Sequence, residues 1–154
     1  MLEINYDGKN DSRSYSTTKV HKYLSEKLFN TNVCVCNAQQ NYLKQYDITL
    51  TQFNALRILR GQFPAHCSIN LLKERMLDKM SDVSRLVQRL KKAGYVLHKK
   101  SKEDKRNVQV KISKKGLDLL ETIDKDIHIF DAPFNELEEA ELNQLVALLE
   151  KLIV

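Results

Sequence analysis

A mostly α-helical protein with one small β-hairpin is the fold class this sequence predicts, and three observations carry it. Only four glycines and two prolines interrupt its 154 residues, so long segments run without a helix breaker. Apolar residues recur at spacings of three and four along most of the chain, the period of a helix that buries one face. After Gly94 the period switches to two, in Tyr95-Val-Leu-His-Lys-Lys100 and Asn107-Val-Gln-Val-Lys-Ile112, as paired strands require.

The first helix is predicted over residues 17–46, with Val20, Tyr23, Leu24, Lys27, Leu28 and Thr31 at helical spacing. Thr49-Leu-Thr-Gln52 has the form of a capping box and opens a second helix, because the Thr hydroxyl and Gln side chain can satisfy each other's backbone donors. Phe53, Leu56, Ile58 and Leu59 give that helix its buried side, and Gly61 with Pro64 ends it. Ser68 can cap a short third helix that buries Ile69, Leu71, Leu72 and Met76. Asp78 or Ser81 can cap a fourth helix reaching Ala93, with Val83, Leu86, Val87 and Leu90 inward and Gly94 just past its end. Its other face is polar: Ser81, Asp82, Ser84, Arg85, Gln88 and Arg89.

In the hairpin, Val108, Val110 and Ile112 point inward while Asn107, Gln109 and Lys111 point outward, and the connection from Ser101 to Arg106 is short and charged. Ser113 opens a further helix carrying Leu117, Leu120, Ile123, Ile127 and Phe130. A last helix after Pro133 carries a wide apolar stripe of Leu137, Leu142, Leu145, Val146, Leu149, Leu152 and Ile153.

The length suits one domain, residues 1–154. No stretch is long and apolar enough for a membrane span, and the polar start lacks a signal-peptide core. An odd count of three cysteines, Cys34, Cys36 and Cys67, in a chain large enough to fold without staples points to reduced thiols. A cytoplasmic location is therefore expected.

Net charge is +5, but its distribution is more informative. Between Arg85 and Lys115 twelve basic residues face two acidic ones, whereas from Gly116 to Val154 two lysines face ten acids. A local block this basic is an electrostatic footprint for a polyanion. An absence of Trp and an aromatic content of 7% argue against a stacking surface for single strands. The four histidines lack metal-ligand spacing, and no nucleophile elbow, phosphate loop or paired carboxylates occur, so no metal, cofactor or enzymatic activity is expected.

Specific residues then point to a family. Asp104-Lys-Arg106 followed by Ile112, Ser113 and Gly116 at fixed spacing, together with Val83-Ser-Arg-Leu-Val-Gln-Arg-Leu90 and its Gly94 exit, resembles the MarR family of bacterial regulators across about residues 18–152. The resemblance implies a winged helix-turn-helix over 48–113, with 17–46 and 114–154 forming dimerisation helices. It further implies a homodimer, a near-palindromic operator and a ligand-responsive repressor released by a small-molecule effector. One position departs from the pattern. Leu77 stands where the family has a turn glycine; leucine at positive φ would be strained, so Asp78-Lys-Met80 is the alternative carrier of the turn.

The resemblance assigns Arg106 to the minor groove, with Asp104 holding its guanidinium through charge-assisted hydrogen bonds. Lys99, Lys100, Lys102 and Lys105 surround the hairpin loop, where they can meet phosphates. On the fourth helix, Arg85 and Gln88 are the side-chain types that read guanine and adenine, Ser81 and Ser84 can meet bases or phosphates, and Arg89 completes the polar face. Two other functions remain open from sequence: a redox-sensing switch through Cys34, Cys36 or Cys67, and a winged-helix module whose basic face binds an acidic protein. Cys34 and Cys36 lie two apart in a predicted helix and point to different faces, a poor geometry for a mutual disulfide.

Overall fold

The computed structural model describes residues 17–78, 82–100 and 108–152. They form six helices and a three-stranded antiparallel sheet: α1 (Thr17–Leu43), α2 (Leu50–Gly61), β1 (Cys67–Ser68), α3 (Ile69–Arg75), α4 (Val83–Lys92), β2 (Val96–Lys100), β3 (Val108–Ile112), α5 (Lys114–Asp124) and α6 (Glu139–Glu150). Short 3₁₀ segments follow α1 at Lys44–Tyr46 and α5 at Ile127–Phe134. The chain divides into two compact units at Cys34 and Val35, a division that falls within α1.

In the first unit α1 is a helix with an exposed apolar series, Val20, Tyr23, Leu24, Leu28, Phe29 and Val33. The Lys27 ammonium lies 5.0 Å from the centroid of the Tyr23 ring.

The second unit holds the core. Phe53, Leu56 and Leu59 of α2, Leu72 and Met76 after it, Leu86, Val87 and Leu90 of α4, Val110 and Ile112 of β3, and Leu120 and Ile123 of α5 are buried together. The helix starts follow their caps. Thr49 and Gln52 form the expected reciprocal box, Ser68 accepts the Leu71 N–H, and Ser113 accepts the Gly116 N–H. In α4, however, the cap is neither Asp78 nor Ser81: Asp82 accepts the Arg85 N–H at 3.1 Å. Val83, the first buried residue of the helix, follows it directly, so the cap sits immediately before the apolar face begins. Leu77 is 86% exposed. It does not adopt the strained conformation, because Asp47 is the single non-glycine at positive φ among the described residues.

Two further expectations need correction. The hairpin is joined by a third strand, giving the order β1-β3-β2, with Cys67 opposite Val110 on one side and His98 opposite Val110 on the other. A two-residue strand has no alternation to reveal it. Gln109 and Lys111 are accordingly half-buried, and the Lys111 ammonium lies 5.1 Å from the Phe63 ring centroid. The helix opened by Ser113 also ends at Asp124, so Ile127 and Phe130 belong to the 3₁₀ segment that contains Pro133. Proline there removes an N–H and crowds the carbonyl four residues earlier, which opposes α-helix across residues 129–133. Phe130 still reaches the core, edge-on to Phe53 at 5.4 Å and to Tyr42 at 5.6 Å between ring centroids. The Tyr42 hydroxyl lies 3.2 Å from both the Tyr46 hydroxyl and an Asp126 carboxylate oxygen. Burial, with help from both neighbours, raises the Tyr42 pKa and keeps the phenol protonated.

In α6, Leu142 and Leu149 are half-buried while Leu145, Val146 and Leu148, and Leu152 just past its end, are exposed. Its wide apolar stripe is therefore not used up by the chain's own core.

Gly116 tests this packing. A Cβ there would stand 2.5 Å from the Tyr95 carbonyl oxygen and 2.8 Å from Ile112 Cγ1, closer than any real contact, so Gly116→Ala should cost about 1–3 kcal/mol in urea unfolding. Ser113→Ala, which deletes both a cap and a bond to Gly94, should cost about 1–2 kcal/mol. Gly61→Ala is the control: nothing lies within 4 Å of its Cβ position, so stability should hold or rise by up to about 1 kcal/mol.

Candidate nucleic-acid interface

The polar face of α4 is built from its ends inward. At the start, Asp82 uses both carboxylate oxygens on one residue, with Oδ1 accepting the Arg85 backbone N–H at 3.1 Å and Oδ2 lying 3.3 Å from Arg85 Nε. At the end, the Gly94 N–H donates to Lys91 O at 2.9 Å and the Tyr95 N–H donates to Leu90 O at 2.9 Å. These two bonds form a Schellman motif, whose left-handed residue is Gly94 at φ +82°.

Between these ends Ser84, Arg85, Gln88 and Arg89 are exposed, while Val83, Leu86, Val87 and Leu90 are buried. The helix thus presents hydroxyl, guanidinium and amide groups on the side opposite its packing, the chemistry that base edges and phosphates accept. Arg89, Lys91 and Lys92 fill its last turn, where the helix dipole favours cations.

Beside α4, β2 and β3 form the root of the hairpin. Lys99 is exposed on β2 opposite Gln109, and Lys100 is the last described residue of that strand, its side chain lying outside the described residues. Ser81, Lys102, Asp104, Lys105 and Arg106 also lie outside the described residues. The structure therefore brings together Ser84, Arg85, Gln88 and Arg89 on one helix face. Sequence reasoning missed Asp82 as a partner of Arg85; the signal was an Asp directly before the first buried residue and three before an arginine.

Part of the basic block also makes contacts within the fold. Lys115 donates to Ala93 O at 2.8 Å and lies 4.8 Å from the Tyr95 ring centroid, and Lys114 pairs with Asp118 at 3.2 Å. Among the described residues no cluster of three His, Cys, Asp or Glu side chains could hold a metal ion, and no helix is long and apolar enough to cross a membrane.

Known proteins share both the sequence pattern and the fold. The MarR family model matches residues 46–107. The HTH-type transcriptional regulator SarZ of Staphylococcus haemolyticus is 29% identical over 105 residues, covering 66% of this chain and 70% of that protein. A MarR-like transcription regulator from Bacillus cereus has a similar structure at a TM-score of 0.78 and 25% identity, covering 86% of this chain and 95% of the other. A mutant MarR from E. coli, crystallised with operator DNA, shares the fold at a TM-score of 0.76 and 24% identity, covering 91% of this chain and all of that one. In its matched segment and in its fold the chain is thus similar to winged helix-turn-helix transcriptional regulators of the MarR family.

Proposed function

We propose that this chain acts as one functional domain in a homodimer that reads a near-palindromic operator in double-stranded DNA, with α4 in the major groove and the 101–106 loop at the neighbouring minor groove. The observation that carries this reading is the single exposed face of α4, where Ser84, Arg85, Gln88 and Arg89 stand on a helix whose other side is wholly buried. Arg85 and Gln88 read bases, Ser81, Ser84 and Arg89 position the helix, and Lys99, Lys100, Lys102 and Lys105 supply phosphate contacts. Asp104 holds Arg106 for the minor groove. The E. coli MarR of the same fold, crystallised with operator DNA, supports the class of ligand.

Apolar surface supports the dimer. Leu145, Val146 and Leu148 of α6 with Leu152 just past its end, and separately Val20, Leu24, Leu28 and Phe29 of α1, are exposed on a single chain, the kind of apolar series that a partner subunit covers. Repression, relieved by a small effector that changes the spacing of the two halves, is the regulatory mode proposed with it. A cytoplasmic site of action goes with both.

A redox switch through Cys67 is disfavoured by its burial. Cys34 is exposed, Cys36 half-buried and Cys67 buried, and none forms a disulfide. Burial pushes the Cys67 thiol up, against a smaller opposing pull from Arg75, so little reactive thiolate is present at neutral pH.

Three outcomes are expected. Sedimentation should show a dimer at micromolar concentration, and Leu145→Lys should shift it towards monomer; a folded wild-type monomer would remove the two-half-site reading. In salt titrations on a selected operator and a scrambled duplex, Lys99→Ala should weaken both similarly and lower the salt slope by about 0.9. Arg85→Ala should instead cost about 1–3 kcal/mol on the operator and much less on the scrambled duplex, relaxing preference at positions roughly 10–10.5 base pairs apart. Mild peroxide should leave DNA affinity unchanged, and a thiol reagent should label native Cys34 but not Cys67; release on oxidation, abolished by a Cys→Ser change, would restore the redox reading.

A further inference from the structure

The contact between Asp82 and Arg85 does more than start a helix. Capping needs one oxygen, and Asn or Ser would supply it as well as Asp. Asp82 also brings a second oxygen within 3.3 Å of Arg85 Nε, although the two side chains are 59% and 81% exposed. In that position the Arg85 guanidinium lies against the first turn of α4.

The edge used matters. Nε carries one of the five guanidinium N–H donors, so a partner there leaves the end-on pair of Nη groups, the fork that fits guanine O6 and N7. Charge matters too. An unpartnered cation near a helix N-terminus is drawn to any phosphate it can reach, an attraction blind to sequence. Paired with Asp82, Arg85 presents a directed donor fork with little net charge, which weakens the blind attraction and leaves the directed one.

We propose that Asp82 is a positioning residue that sets the sequence specificity of this regulator: its carboxylate holds Arg85 side-on, aims the end-on fork at a base and suppresses pairing of Arg85 with phosphate. This rests on the reading of Arg85 as a base contact. The carboxylate stands at the positive end of the α4 dipole, where a negative charge is stabilised, so the arrangement does not strain the helix.

The test compares Asp82→Asn and Asp82→Ser, both of which keep a cap acceptor, with Arg85→Ala and the Asp82→Asn/Arg85→Ala double variant. The duplexes are one recovered by selecting genomic fragments on the purified wild-type dimer and its scrambled version, each titrated with salt. Thermal midpoints of both Asp82 variants should stay close to wild type. Their operator-to-scrambled affinity ratio should fall about two- to fivefold, the scale of an exposed ion pair, through tighter scrambled-duplex binding and a salt slope steeper by about 0.9. In the Arg85→Ala background the Asp82 change should leave the ratio unmoved. If both Asp82 variants keep the wild-type ratio while Arg85→Ala lowers it, Arg85 reads a base without help and the role of Asp82 is overturned. If Arg85→Ala weakens both duplexes equally, base reading by Arg85 fails, and the positioning role fails with it.

Discussion

Three elements meet at the Ser113 hydroxyl, and the placement of α4 depends on that meeting. The hydroxyl donates to Gly94 O at 2.7 Å and accepts the Gly116 N–H at 3.1 Å, while the Ser113 backbone N–H donates to Tyr95 O at 3.0 Å. One nearly buried residue thereby joins the exit of α4, the end of β3 and the first turn of α5. Gly116 makes the approach feasible, since any side chain would collide with Tyr95 O. Strand register begins at this joint, with Val96 opposite Ile112, and runs from there to Lys99 opposite Gln109. A slip of one residue would exchange the faces of β2 and bury Lys99, so the joint that orients the helix also keeps that lysine exposed.

The same economy governs the charges. A basic run reads as one block along the sequence, yet folding assigns its members different work. Lys111 lies over Phe63, Lys114 pairs with Asp118 and Lys115 braces the end of α4 through Ala93 O. Arg85 is balanced by Asp82. Exposed basic side chains on the described part of the block include Arg89, Lys91 and Lys92 in the last turn of α4, Lys99 of β2, and Lys115 beside the end of α4. A polyanion is therefore attracted most strongly to the C-terminal end of α4 and the root of the hairpin, while the N-terminal end carries groups suited to discrimination.

Legibility in the sequence followed the range of the interactions. Caps are local, and Thr49 with Gln52, Ser68 and Ser113 were readable because acceptor and donor lie three residues apart. Helical periodicity likewise placed Val83, Leu86, Val87 and Leu90 in the core and left Ser84, Arg85, Gln88 and Arg89 outside. What failed was non-local or ambiguous. Cys67 and Ser68 form a strand only because β3 offers an open edge many residues later, and Ile127 and Phe130 leave helical geometry under the influence of Pro133. At the start of α4 Asp78 and Ser81 are the candidate caps by sequence, and Asp82 takes the position. Only the position of Val83 in the core decides among them, because the cap must precede the first turn whose face is buried.

These local and distant contacts combine in α5. Its first turn is fixed in the Ser113 joint, and about 16 Å away, at 1.5 Å per residue over eleven residues, Asp124 pairs with Arg60 at the end of α2. Just beyond it Asp126 accepts a hydrogen bond from Tyr42. Each polar tie is exposed or half-exposed and contributes little energy alone. Leu120 and Ile123, fully buried on the same helix, supply the packing that makes it stiff. A helix packed along its length and held at both ends braces α4, the sheet and α2 against one another. The placement of α4, only ten residues long, thus rests in part on the helix that follows the hairpin.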